Sequence, residues 1–302
     1  MVRISMKSLF LTAVLLMALS SLASAADRLR PITSVYFDDK GGSLKFPEGV
    51  ACNDKGTIVV ADTANGRLLR YTFKDGAVKG GNELKPSQLT YPIRLQLGSK
   101  GDIWALDGKQ RRIVHLNADG GFVGYVDPQG VPAPAPVVPR SFKLDGKDGI
   151  YLLDIYGARV LVLDPSGKFQ RQIAFPKDYG FFSDLAVNGN GDILLLDSVN
   201  ATVFVSRKDA PGFVPLSKNL QEYVSFPTYL TTTGGGMIDL VDQNGGTIAV
   251  LGGDGGFRGR MLSLGWKEGQ LYYPGQIGFA GEGTVVIADR NNSRVQVFEL
   301  IH

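Results

Sequence analysis

Apolar residues along this chain come in short runs rich in valine, isoleucine and leucine, each cut off by glycine, asparagine or aspartate. Runs at 57–61, 102–106 and 193–196 end in an aspartate, and further runs at 68–71, 113–116, 160–163 and 295–298 follow a polar turn. No long stretch repeats with a helical period. The pattern therefore predicts many short strands joined by tight turns, with glycine pairs such as Lys55-Gly56, Lys100-Gly101 and Asn190-Gly191 closing the first hairpin of each group.

The groups recur at a fixed period. An aspartate closes the second run at Asp62, Asp107, Asp154, Asp197, Asp242 and Asp289, in steps of 45, 47, 43, 45 and 47 residues. Fifteen residues earlier stands Pro47, Pro92, Pro139, Pro227 or Pro274, with Phe182 in the fourth unit. Five residues after the aspartate comes Arg67, Arg112, Arg159 or Arg294, with Thr202 and Thr247 in units four and five. Four strands per repeat of this length is the signature of a propeller blade. Six repeats predict an all-β, six-bladed ring. The last unit ends after three strands, and an orphan apolar segment at 32–37 precedes the first proline. That segment is expected to pair as the fourth strand of the last blade, removing an open seam.

The order proline, apolar strand, glycine turn, apolar strand, Asp, Asn-x-Arg, apolar strand resembles the NHL repeat. Asp62-Thr63-Ala64-Asn65-Gly66-Arg67 and Asp289-Arg290-Asn291-Asn292-Ser293-Arg294 are its clearest copies. The resemblance implies a six-bladed NHL-type β-propeller and leaves the activity open, because such propellers host unrelated functions.

The ends and the charge narrow the setting. Arg3 and Lys7 precede an apolar stretch at 9–19, and Ala23-Ser24-Ala25 follows, the pattern of a secretory signal cleaved after Ala25. Residues 26–302 are then expected to form one domain in the periplasm or outside the cell. Without Arg3 and Lys7 the formal net charge of +3 falls to +1, which gives no footprint for nucleic acid or a membrane surface. Cys52 is the only cysteine, so no internal disulfide supports the fold.

Repeated Asp and Arg around a ring read as folding devices, with each carboxylate accepting N–H groups of the turn that follows. Departures from the repeat carry more functional information. The two positions after the proline mark begin the innermost strand at one mouth of the channel. They put Glu48, Arg94, Arg140, Asp184, Tyr229 and Gln276 around one rim. Such a ring suits a small polar ligand or a protein partner; its plain alternative is a channel whose acids and bases pair with each other.

No histidine occupies the positions where propeller-type peptide-amidating lyases hold zinc, since the only histidines are His115 and His302. No metal ligand set, catalytic residue or cofactor is expected. The expected function is a non-catalytic binding scaffold, either a monomer or part of an envelope complex. The alternative is a calcium-assisted lactonase-like hydrolase or a lyase at the same mouth, using Glu48 and Asp184. Two long connectors stand out: the proline-rich stretch 127–139, a partner-docking edge or a spacer, and residues 208–225. The glycine-rich stretch 252–256 reads as a hairpin turn, not a phosphate cradle.

Overall fold

In the computed structural model, residues 28–281 and 283–301 are described. The expected leader, residues 1–25, and His302 lie outside them. Among the described residues the strands form six four-stranded antiparallel sheets and one two-stranded pair, with only two short 3-10 turns. The first blade runs Gly49–Cys52, Thr57–Asp62, Arg67–Lys74 and Ala77–Leu84 from the inside outward. The other inner strands are Pro92–Leu97, Pro139–Leu144, Phe182–Val187, Pro227–Thr232 and Ile277–Phe279. The protein is an all-β six-bladed propeller. None of its described helices is long and apolar enough to cross a membrane.

In the sixth sheet the outermost strand is Arg28–Val35. It lies antiparallel to Arg294–Ile301, with Arg28 opposite Ile301 and Val35 opposite Val295. Its bounds differ from the expected 32–37, because Tyr36 and Phe37 fall beyond the strand.

The blades adhere through their faces. Val50, Ile58 and Leu69 of the first blade interleave with Val286, Ala288 and Val297 of the sixth, all buried. Each valine, isoleucine or leucine side chain removed from water there contributes roughly 1.5–3 kcal/mol. Leu220 and Val224 of the 208–225 connector pack into the core between blades four and five, so this segment is part of the wall.

Each repeat aspartate ties its strand end to the start of its own blade. Asp62 accepts the N–H of Lys45 at 2.7 Å, Asp107 that of Thr90 at 2.7 Å and Asp154 that of Val138 at 3.0 Å. Asp197, Asp242 and Asp289 do the same with Gly180, Ser225 and Tyr272. Among the described residues only Asp107 and Asp197 also accept backbone N–H groups from the turn that follows, while Asp62 and Asp289 accept the side-chain amides of Asn65 and Asn292 there. The carboxylate thus reaches backward first, toward the segment just ahead of the proline. Proline suits that junction: as the first residue of a strand it has no N–H to leave unpaired. Arg67, Arg159 and Arg294 pair with their aspartates at 2.7–2.9 Å. Arg112 does not. Its guanidinium lies 3.5 Å from the centre of the Tyr125 ring.

The stretch 252–256 is a turn, as expected, closed by Gly252 N–H donating to Gly256 O at 2.8 Å between Thr247–Leu251 and Phe257–Met261.

Candidate functional site: the channel mouth

Blades two to five share an irregularity where the inner strand begins. The register shifts between Pro92 and Arg94, Pro139 and Ser141, Phe182 and Asp184, and Pro227 and Tyr229. One extra residue per blade breaks the ladder there, and a bulge re-aims the side chains beside it. That local geometry brings the residues after the proline marks together at the channel.

Several of the six rim residues do meet. Gln276 is buried and spans from blade six to blade two. It donates to Leu95 O at 2.7 Å and accepts the Leu95 N–H at 3.1 Å. Its amide also lies 3.3 Å from the Tyr229 hydroxyl. Arg94 crosses from blade two to the opposite blade five, with Nη2 3.4 Å from Thr228 O and its guanidinium 5.5 Å from the Tyr229 ring centre. Asp184, wholly buried, accepts the Leu230 N–H at 2.9 Å and the Ser141 hydroxyl, joining blades three, four and five. Asp184, Tyr229 and Gln276 therefore form a strapped floor across the channel, not an open rim. Glu48 is drawn to one side by Arg290 at 3.0 Å.

Arg140 is the outlier. Its Nε is buried without a hydrogen-bond partner, and its guanidinium sits 5.4 Å from the Phe181 ring centre. Burial first, then the like charge of Arg94, pushes its pKa below the ordinary guanidinium value; Asp184 and Glu48 pull it partly back.

Lys143 was not among the residues picked from sequence. It is buried, donates to the Tyr229 hydroxyl at 2.6 Å and stands 3.9 Å from Asp184. A signal for it exists. Four residues after each mark come Ala51, Gln96, Lys143, Ala186, Thr231 and Gly278, a column with a single charge. Arg290, which neutralises Glu48, sits within the repeat's turn and carried no comparable mark. The cluster now holds four cations, Arg94, Arg140, Lys143 and Arg290, against two carboxylates, Glu48 and Asp184.

Among the described residues no three His, Cys, Asp or Glu side chains converge as a metal site would need. His115 is bound to Asp102 at 2.9 Å and stacks on Trp104, near the turn end of blade two. Burial raises the Cys52 thiol pKa well above its usual value, which keeps it protonated and unreactive.

A family model for the NHL repeat matches residues 44–71, the first copy of the motif. No curated protein matches the chain by sequence. Solved structures are similar in fold. Virginiamycin B lyase from Staphylococcus aureus, in a catalytically inactive form with quinupristin, aligns with TM-score 0.64 and 15% identity over 91% of this chain and 100% of its own. A gluconolactonase from Xanthomonas campestris aligns with TM-score 0.66 and 17% identity over 93% of each chain. A chain of the nidogen/laminin complex gives 0.60 and 16%, over 81% and 86%. At such identities the likeness concerns the fold alone, and two enzymes and a chain of a protein complex share it. The chain is a six-bladed β-propeller that carries an NHL repeat at residues 44–71.

Proposed function

We propose that this propeller is an exported, non-catalytic binding scaffold whose channel mouth receives an anionic group of a small polar ligand or a protein partner. The observation that supports this most directly is Arg140, a guanidinium with a buried nitrogen lacking an acceptor, near Arg94, which donates to the backbone carbonyls of Ile93 and Thr228. A guanidinium nitrogen buried without an acceptor is costly, and Asp184 and Glu48 offset the Arg140 charge only in part, so a fold that keeps it near a second cation is prepared for an anion. Carboxylates pair with guanidinium forks through two parallel hydrogen bonds, and Arg94 and Arg140 offer two forks from adjacent blades. Glu48, Asp184, Tyr229 and Gln276 support the pair by shaping the floor and wall.

The metal-assisted hydrolase or lyase alternative has less support in the side chains present. Glu48 is engaged by Arg290, and both oxygens of Asp184 are engaged by Ser141 and Leu230. Export and removal of residues 1–25 remain part of the proposal, as does work in the periplasm or beyond.

Calorimetric titration with acetate, succinate and citrate tests the assignment. Saturable binding by the wild type, weakened at least about tenfold in Arg94→Gln/Arg140→Gln, is expected from the loss of charged hydrogen bonds. Equal binding by the variant would remove the mouth from consideration. Stoichiometric calcium released by Glu48→Ala or Asp184→Ala would favour the enzymatic alternative.

A further inference from the structure

The proline-rich connector between blades two and three does not lie flat on the ring. Beneath it is a cavity of about 430 Å³, within the range of small-ligand pockets. Its walls are carbon-rich, from Val131, Val137 and Leu152 with the connector's prolines, and Arg111 and Arg112 stand along one side. The roof is held open from outside. Arg159 donates to Pro132 O at 2.8 Å and Pro134 O at 2.7 Å, and Gln129 pairs through its backbone with Gly167 and Phe169 at 2.9 Å. Proline rings hold the backbone stiff and leave no N–H to satisfy, so the shape of that wall is preformed.

The cationic side has its own history in the repeat. Arg112 occupies the position where Arg67, Arg159 and Arg294 bind their aspartates. In blade two that aspartate, Asp107, is saturated instead by N–H groups of Thr90, Tyr91, Lys109 and Gln110. The displaced guanidinium rests on Tyr125 and lines the cavity. No ion pair joins Arg111 or Arg112 to Asp127, the acid in the same lining, among the described residues. A polar recognition element thus faces an apolar chamber.

We propose that this cavity is a second binding site, for a small amphiphilic carboxylate whose apolar or aromatic body lies against the prolines and valines while Arg111 and Arg112 hold its carboxylate. The acid can be a free small molecule or the end of a peptide with an apolar last residue; the chemistry is the same. The site has its own lining and lies beside the channel mouth, with Arg111 near enough to act on the charge of Arg140.

The test is calorimetric titration with 4-phenylbutyrate, its neutral amide and N-acetylglycyl-phenylalanine. Saturable one-to-one binding of at least one acid is expected, and whichever acid binds more tightly identifies the source. The amide should bind at least about tenfold more weakly, and so should the acids to Arg111→Gln/Arg112→Gln. Val137→Trp, which fills the chamber, should abolish binding. Should that variant misfold, as its melting temperature would show, the exposed arginine pair carries the test. Arg94→Gln/Arg140→Gln should keep the acids bound within about threefold of the wild type, the effect of a neighbouring charge partly screened by solvent. The proposal is overturned if neither acid saturates the wild type. It is also overturned if the acids bind a folded Val137→Trp unchanged, if they bind the Arg111/Arg112 variant unchanged, or if the mouth variant alone loses them.

Discussion

The Gln276 side chain forms two hydrogen bonds with the backbone of Leu95, one in each direction, although the first blade lies between their own blades six and two. Gly49 makes the crossing possible. A Cβ there would come within 3.3 Å of both Gln276 Oε1 and Ile93 O, and 3.2 Å of the Ala61 Cβ. The amide acts as a strap on the inner edge of the ring, where strands have no further neighbour. Gln276→Leu leaves the buried Leu95 N–H without that acceptor, while Leu95 O keeps the Gln96 side-chain amide at 2.9 Å, and should cost about 1–3 kcal/mol in urea unfolding. Gly49→Ala should cost roughly 1–3 kcal/mol through crowding of the same strap. A loss below half a kcal/mol in both variants would mean that the strap contributes little.

Charges at the mouth divide into two groups that respond oppositely. Lys143 is bound to Tyr229 and faces Asp184, so Lys143→Met removes the cation nearest a buried carboxylate and should destabilise by about 3 kcal/mol. Arg94 and Arg140 repel each other, and Arg140 lacks an acceptor at Nε. Arg94→Gln/Arg140→Gln should leave the melting temperature unchanged or raise it. A large fall instead would assign the two arginines to packing between blades.

The ring was legible because its marks are local and repeated. Asp62, Asp107 and the other four serve the same backbone junction, so the same residue type is required at the same offset every time. The floor of the channel was only partly legible. Asp184, Tyr229 and Gln276 stood out as departures from the repeat just after the proline mark, yet the sequence could not say that they point at one another instead of at solvent. That outcome depends on side-chain reach between blades, such as Lys143 to Tyr229, and on the bulges that turn the strand starts. The role of residues 127–139 was open for a similar reason. Stiffness is visible in its prolines, whereas the space beneath it depends on Arg159 gripping carbonyls from the neighbouring blade.

Asp107 links the repeat to pH. Burial, the largest influence, raises its pKa, but the N–H groups of Gln110, Thr90 and Tyr91 together outweigh it and leave the value below the ordinary 3.8. A carboxylate with a depressed folded pKa contributes stability that is complete above the unfolded value and is lost as pH falls through the folded value. Asp107→Asn should therefore be less stable than the wild type at pH 7. The gap should persist down to about pH 4 and narrow below it. Urea midpoints for both proteins at pH 7, 4 and 2.5 check this; a gap that closes above pH 5 would contradict the direction of the shift.

Arg159 and Arg112 occupy the same position in successive repeats and should behave differently when removed. Arg159 is almost wholly buried. It binds Asp154 at 2.9 Å and Gln172 at 2.8 Å, and it holds the carbonyls of Pro132 and Pro134. Arg159→Ala leaves Asp154 without its cation and frees the proline-rich connector, with an expected loss of about 3–5 kcal/mol. Arg112→Ala removes only a contact with the Tyr125 ring, for a loss of about 0.5–2 kcal/mol. Hydrogen exchange separates local from global effects. In Arg159→Ala, protection of the Gln129 and Phe169 amides, which pin the connector to blade three, should fall more than that of the core strand Ile150–Asp154. In Arg112→Ala both should stay near the wild-type level. Equal losses of stability in the two variants would mean that the connector is held by its own stiffness and not by Arg159.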